Sequence, residues 1–279
     1  MNLPIAVAPS APDAGGEQGL GYPAEVKLPL LIVGDVQGDD ERLREALARY
    51  PDDAVDTIFL GDFFQGGPPG LAGGAACARI ARERGNSRSI LGNHDLMLLC
   101  VLEEVRTGHT PDEVRERLRG TLAMVWLWRR GDWADLREVA DDPELEAWLR
   151  GLPVMIRLDD GTLIQHCDDD AYARLGDDVE SVNASAHGLL DQPGGAWRLF
   201  WHTVGRRAFD DGARLEQHLR RFGARRVVHG HTPHHGPRPQ VTHDGRLWCF
   251  DGCFSRYWTE GGEGTGPIEA TVALLPTLE

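Results

Sequence analysis

The chain has 279 residues, 41% hydrophobic and 26% charged, enough to bury a sizeable core and ordinary for a water-exposed globular protein. Its 44 acidic and 29 basic residues give a formal net charge of −15, which repels duplex nucleic acid. No apolar run is long enough for a membrane span, residues 1–27 lack the basic and apolar regions of a secretory signal, and the five scattered cysteines form no disulfide framework, so a cytoplasmic chain is expected.

Residues 1–27, rich in Ala, Pro and Gly, read as a flexible tail ahead of a domain over 28–279. Residues 28–34 (LPLLIVG) predict a buried strand, and Asp39 to Tyr50 predicts a helix with Leu43, Leu47 and Tyr50 on one face. Residues 55–60 and 87–91 predict two further strands. All three strands discharge into polar, glycine-containing loops: Gly34-Asp35, Gly61-Asp62 and Gly92-Asn93-His94-Asp95. The carboxyl ends of strands are where α/β sheets build their sites.

Residues 96–150 predict a helical insert, interrupted near 107–111 and 131–132. A hairpin follows, turning at Asp159-Asp160-Gly161 and ending on His166. Residues 212–222 predict a helix, 225–229 a strand that leads into HGHTP, and 238–253 a hairpin through His243-Asp244-Gly245.

The strand-end groups are Asp35, Asp62, Asn93 with His94 and Asp95, His166, and His229 or His231. They are hard or borderline ligands with no thiolate among them, a mixture suited to Mn²⁺, Fe or Zn²⁺. In this order the loops resemble the calcineurin-like metallophosphoesterase signature, close to the bacterial phosphoprotein phosphatase and symmetrical diadenosine tetraphosphatase branch. GDVQG at 34–38 resembles GDxHG, GDFFQGG at 61–67 resembles GDxxDRG, and LGNHD at 91–95 resembles GNHD. IQH at 164–166 and HGHTP at 229–233 resemble the family's two histidine motifs.

The resemblance implies a four-layer α/β/β/α sandwich of two mixed sheets, with 96–150 as a helical cap. It implies two divalent metal ions, Mn²⁺ foremost and Fe or Zn²⁺ as alternatives. Asp62 would bridge them, Asp35 and Gln37 would join the first, and Asn93, His166 and His231 the second. His94 would be the general acid, and His229 stays open between a place near the first metal and simple packing. The implied reaction is hydrolysis of a phosphomonoester, on a small molecule or on phosphoserine or phosphothreonine, by in-line attack of a metal-bound hydroxide. Alternatives are hydrolysis of a dinucleoside polyphosphate, and a degenerate fold kept as a metal-dependent binding or regulatory module. The partners expected are a phosphorylated small molecule, a phosphoprotein or a nucleotide.

Three positions depart from the pattern. Gln37 stands where the family has a metal-binding histidine, Gln65 where an aspartate would orient the acid, and Gly66 where an arginine would clamp phosphate. Arg206, Arg207 and Arg256 are the candidate replacements for that clamp. Asp168-Asp169-Asp170 reads as an exposed acidic turn, and His234 and His235 as solvated. Cys167 reads as a small packed residue, and Trp126, Trp128 and Trp133 as packing more than base stacking.

Overall fold

A computed structural model describes residues 28–106, 122–257 and 265–278; the expected tail over 1–27 and the expected interruption near 107–111 lie outside them. The first sheet joins β1 (Leu30–Val33), β2 (Asp56–Phe59) and β3 (Ser87–Ser89) in parallel, with β9 (Val272–Leu275) antiparallel on the other flank of β1, in the order β3-β2-β1-β9. The second sheet runs β4-β5-β6-β8-β7, built from β4 (Met155–Arg157), β5 (Thr162–Gln165), β6 (Arg226–His229), β7 (Gln240–Thr242) and β8 (Leu247–Cys249). β5, β6 and β8 are parallel, and the antiparallel edges β4 and β7 arise from the two hairpins.

Alternation along the strands shows how the sheets stack. Ile32, Ile58, Ile164 and Val228 meet in one apolar cluster that joins both sheets. Their neighbours Leu31, Val33, Phe59, Leu163 and Val227 belong to a second cluster shared with the helices. Because successive strand side chains point to opposite faces, the sheets pack face to face and each carries helices on its outer side. This is a four-layer α/β/β/α sandwich of two mixed sheets. Each such wholly buried side chain contributes roughly 1.5–3 kcal/mol.

The helices α1 (Asp40–Leu47) and α2 (Gly73–Glu83) connect the first strands, and α3 (Asn93–Arg106), α4 (Leu122–Trp128), α5 (Trp133–Asp141) and α6 (Pro143–Gly151) lie between β3 and β4. The second half adds α7 (Val179–Leu190), α8 (Gly195–Phe200), α9 (Gly212–Arg221) and α10 (Ile268–Thr271). Capping is explicit in the sequence: Asp39, Asp132, Asp142, Asp178 and Asp211 each accept a backbone N–H in the first turn of the helix that follows. Within the expected insert, α3 packs on α4 and α8, and α5 packs on α2. Trp126 is wholly buried and meets Trp133 edge-on at 5.7 Å, whereas Trp128 is 75% exposed, so packing accounts for two of the three tryptophans. No helix among the described residues is long and apolar enough to cross a membrane.

Candidate metal centre

Five parallel strands end at one place. Asp35 follows β1, Asp62 follows β2, His166 follows β5 and His231 follows β6, while Asn93 opens α3 just after β3. Donor atoms of Asp62, His166 and His231 all lie within 4.8 Å of one another, and all three residues are buried. Two glycines permit this approach. A Cβ on Gly92 would sit 2.1 Å from Asp62 Oδ1, and one on Gly230 would sit 2.0 Å from Asp35 Oδ1. Gln37, Asp62 and His231 also take left-handed backbone conformations, with φ of 44°, 53° and 62°. Such conformations cost about 1–3 kcal/mol each in residues other than glycine, and they cluster at functional sites.

The His166 ring defines the chemistry. Its Nδ1 lies 2.8 Å from the Leu60 carbonyl oxygen. A carbonyl only accepts, so Nδ1 donates to it and Nε2 is the ring atom turned inward. Nε2 lies 2.8 Å from Asn93 Oδ1 and 3.3 Å from Asp62 Oδ1. Imidazole, amide and carboxylate atoms thus meet at one point, a set that suits a divalent cation. Asp35 binds the facing loop, where both of its oxygens accept the His231 N–H at 3.1 and 3.0 Å. Gln37 is buried beside it, and its Oε1 has no hydrogen-bond partner. Asp62, His166 and His231, with Asn93 beside them, therefore offer a donor set that fits a divalent cation.

Electrostatics agree with this fit. Burial, with the nearby Asp251 charge adding to it, raises the Asp62 carboxyl to about 7, against the opposing His94 N–H. Asp35 is pushed up by the same causes. Asp95, also raised to about 7 by burial and by Asp62, accepts the N–H groups of Asp62, Phe63 and Gly92 at 2.9 Å each, tying the two loops together. His94 lies with Nε2 3.9 Å from Asp62 Oδ2 and its ring hydrogen-bonded to the Phe64 backbone. Burial and then His166, Arg129 and Arg206 hold it down to about 3. Its ring is neutral at pH 7 before any anion binds.

The departures from the motif resolve as follows. Gln65 donates its amide N–H to the Trp126 carbonyl at 3.1 Å and approaches Met97 Sδ at 3.5 Å. The Gly66 carbonyl accepts from Ser255. Arg206 reaches the site, its Nε 3.3 Å from His231 Nε2. Arg207 lines a neighbouring cavity, and the Arg256 guanidinium pairs with Asp39 at 2.6 Å and Glu41 at 3.1 Å.

His229 also faces that neighbouring cavity, of about 400 Å³, with Asp168, Thr232 and His234. Its Nδ1 lies 2.8 Å from the Gly230 carbonyl. The backbone leaves the strand after His229, so His229 lines the cavity while His231 joins Asp62 and His166. Two expectations of exposure are corrected: Asp168 is buried, accepting from Thr232 Oγ1 and the Arg207 N–H, and His234 is buried in the cavity wall. Cys167 is buried and its thiol pushed up by desolvation, as for a packed residue.

Sequence reasoning missed two groups. Arg129, just past α4, acts electrostatically on His94, and the signal available was the Arg129-Arg130 pair that ends an apolar helix. Asp251 is buried near Asp35 and Asp62, and its signal was an Asp-Gly step directly after a strand.

The sequence profile described as Calcineurin-like phosphoesterase matches residues 28–235. The symmetrical bis(5'-nucleosyl)-tetraphosphatase of Edwardsiella ictaluri is 32% identical over 128 residues, 45% of this chain and 38% of that protein. Its Bordetella pertussis counterpart is 36% identical over 112 residues, 39% of this chain and 38% of that protein. The alignments thus span well under half the length of these relatives. Among solved structures, the cold-active protein-tyrosine phosphatase of a psychrophilic Shewanella covers 90% of this chain and 81% of its own, with a TM-score of 0.57 and 18% identity, a likeness of fold. With the profile matched over most of its length, the chain belongs to the calcineurin-like phosphoesterase family.

Proposed function

We propose that the chain is a two-metal phosphoesterase that hydrolyses a phosphomonoester. The observation that carries this reading is the convergence of His166 Nε2, Asn93 Oδ1 and Asp62 Oδ1 beside the buried His231. Two divalent cations, Mn²⁺ foremost, would supply Lewis acidity toward the phosphoryl oxygens and a nucleophile at neutral pH. Asp62 would bridge the two ions. Asp35 and Gln37 would hold the first ion, and Asn93, His166 and His231 the second.

The remaining roles fall to groups around that centre. Arg206, beside His231, orients the ester and offsets its charge, with Arg129 on the His94 side. His94 starts neutral, and an anionic ester bound against it favours uptake of a proton from solvent to give the imidazolium. It then donates its proton to the leaving oxygen as that bond breaks.

A second reading, hydrolysis of a dinucleoside polyphosphate, is favoured by the cavity next to His231. Asp168, His229, Thr232, His234 and Gln240 give it polar edges of the kind a nucleobase recognises. The names of the tetraphosphatase relatives point the same way. Incubating Mn²⁺-loaded protein with p-nitrophenyl phosphate, a phosphoserine peptide and diadenosine tetraphosphate separates the two. Inorganic phosphate from the first two supports the monoester, and ADP from the third supports the dinucleotide. Silence across the panel with metals bound would leave the fold as a binding module.

A further inference from the structure

We propose that His218, acting through Gln165, is a positioning residue for the candidate metal centre: the pair shapes loop 166–170, which places His166 and braces both the His231 loop and the Arg206 segment. This rests on the two-metal reading above. His218 is out of keeping with its own helix. The buried face of α9 is Leu215, His218 and Leu219, with the buried Phe222 just past its end. A face that only packed would be apolar throughout. Here an imidazole lies between the rings of Phe209 and Phe222, with centroids 4.9 and 4.8 Å away.

The polar contact of that ring accounts for the exception. His218 Nε2 lies 2.7 Å from Gln165 Oε1. Gln165 ends β5 wholly buried, and its Nε2 donates to the carbonyls of Cys167 at 2.7 Å and Asp169 at 3.0 Å. Two carbonyl partners fix which end of the amide faces them, so Oε1 is left for His218, whose Nε2 donates. Burial pushes the ring down to about 4, so near neutral pH it carries one proton, the one in this bond. Nδ1 is buried with no hydrogen-bond partner.

Gathering two carbonyls onto one amide bends the chain directly after His166. Asp168 stands between those carbonyls, accepting from Thr232 Oγ1 at 2.6 Å and from the Arg207 N–H at 2.9 Å. Thr232 follows His231, and Arg207 follows Arg206. The His166 carbonyl in turn accepts the Gly230 N–H at 2.9 Å. A side chain on α9, away from the cation positions, thus sets the loop that ties His166 to the His231 loop and to the arginine beside it.

Calorimetric titration of the metal-stripped full chain with Mn²⁺, beside p-nitrophenyl phosphate kinetics and melting curves, tests the assignment. H218F fills the space between the two phenylalanines but cannot donate. It should weaken Mn²⁺ binding about tenfold and lower kcat/KM about tenfold or more, as loss of a group that supports a metal-bound histidine does. H218Q, whose amide can place a donor near the position of Nε2, should recover part of both. Q165L removes the whole connection, so adding H218F to it should cost little more, because the two side chains act as one unit. L219A, on the same helix face, should lower the melting point yet leave Mn²⁺ affinity and kcat/KM at wild-type values. Wild-type Mn²⁺ affinity in H218F, equal losses in H218F and H218Q, additive losses in the double variant, or losses in L219A that match those of H218F would each overturn the proposal while the two-metal reading stands. A wild-type chain that binds no Mn²⁺ would instead sink that reading, and this proposal with it.

Discussion

Replacing Asp62 with asparagine should stabilise the metal-free protein while crippling the metal-loaded one. Burial raises the folded-state carboxyl from 3.8 to about 7, so the folded chain holds a proton that the unfolded chain has released. For an acid shifted upward the penalty is absent below the unfolded value, grows between 3.8 and about 7, and is full above that. At about 1.4 kcal/mol for each tenfold change, its ceiling is roughly 4 kcal/mol, and asparagine removes it. In a chain of this size 1 kcal/mol moves the melting point by about 2–4 °C. Scanning calorimetry in EDTA should show D62N melting several degrees above wild type at pH 8, with the difference closing by pH 4. Added Mn²⁺ should stabilise wild type by mass action and D62N far less, and turnover should fall about 100-fold or more as the cations lose their shared anchor. A D62N protein that melts below wild type at pH 8, or that keeps its turnover, would refute the reasoning.

Three further outcomes follow from particular contacts. Gly92→Ala places a Cβ 2.1 Å from Asp62 Oδ1; displacing that carboxylate by about 1 Å should cost about 100-fold in turnover, read beside the loss of Mn²⁺-induced stabilisation. Arg206→Ala should raise KM about tenfold or more while changing kcat less, and should weaken inhibition by inorganic phosphate. Asp135, far from the metal ligands in sequence and raised to about 7 chiefly by burial, accepts the Ala75 N–H at 2.9 Å. The Gly74 backbone bonds the same carboxylate, and asparagine keeps only one of the two acceptors, so D135N should gain melting temperature relative to wild type on going from pH 4 to pH 8, with turnover unchanged.

Much of the centre was legible because its parts are local. Four of the candidate ligand loops carry a glycine next to the acid, amide or imidazole, at Gly34-Asp35, Gly61-Asp62, Gly92-Asn93 and Gly230-His231, and the preceding apolar run announces the strand that delivers each. The parts that were not legible depend on long-range pairing. β9 is four residues near the end of the chain and gains meaning only by pairing antiparallel to β1. α2 and α8 start without a side-chain cap, at Ala72 and Gly194 in left-handed conformations, so nothing local marked their starts. His229 and His231 could not be told apart by spacing, because the turn at Gly230 is set by Asp35 from the other sheet. Asp251 was hidden for the same reason: its neighbours Asp35 and Asp62 lie more than 180 residues earlier in the chain.

The central claim is that these loops hold two cations that share Asp62. Anomalous diffraction from Mn²⁺-soaked crystals of the full chain tests it most directly. Two peaks are predicted about 3.5–4 Å apart, with the Asp62 carboxylate between them, one bounded by Asn93, His166 and His231 and the other by Asp35 and Gln37. A single peak, or peaks elsewhere with His166 Nε2 still facing Asn93 Oδ1 directly, would contradict it.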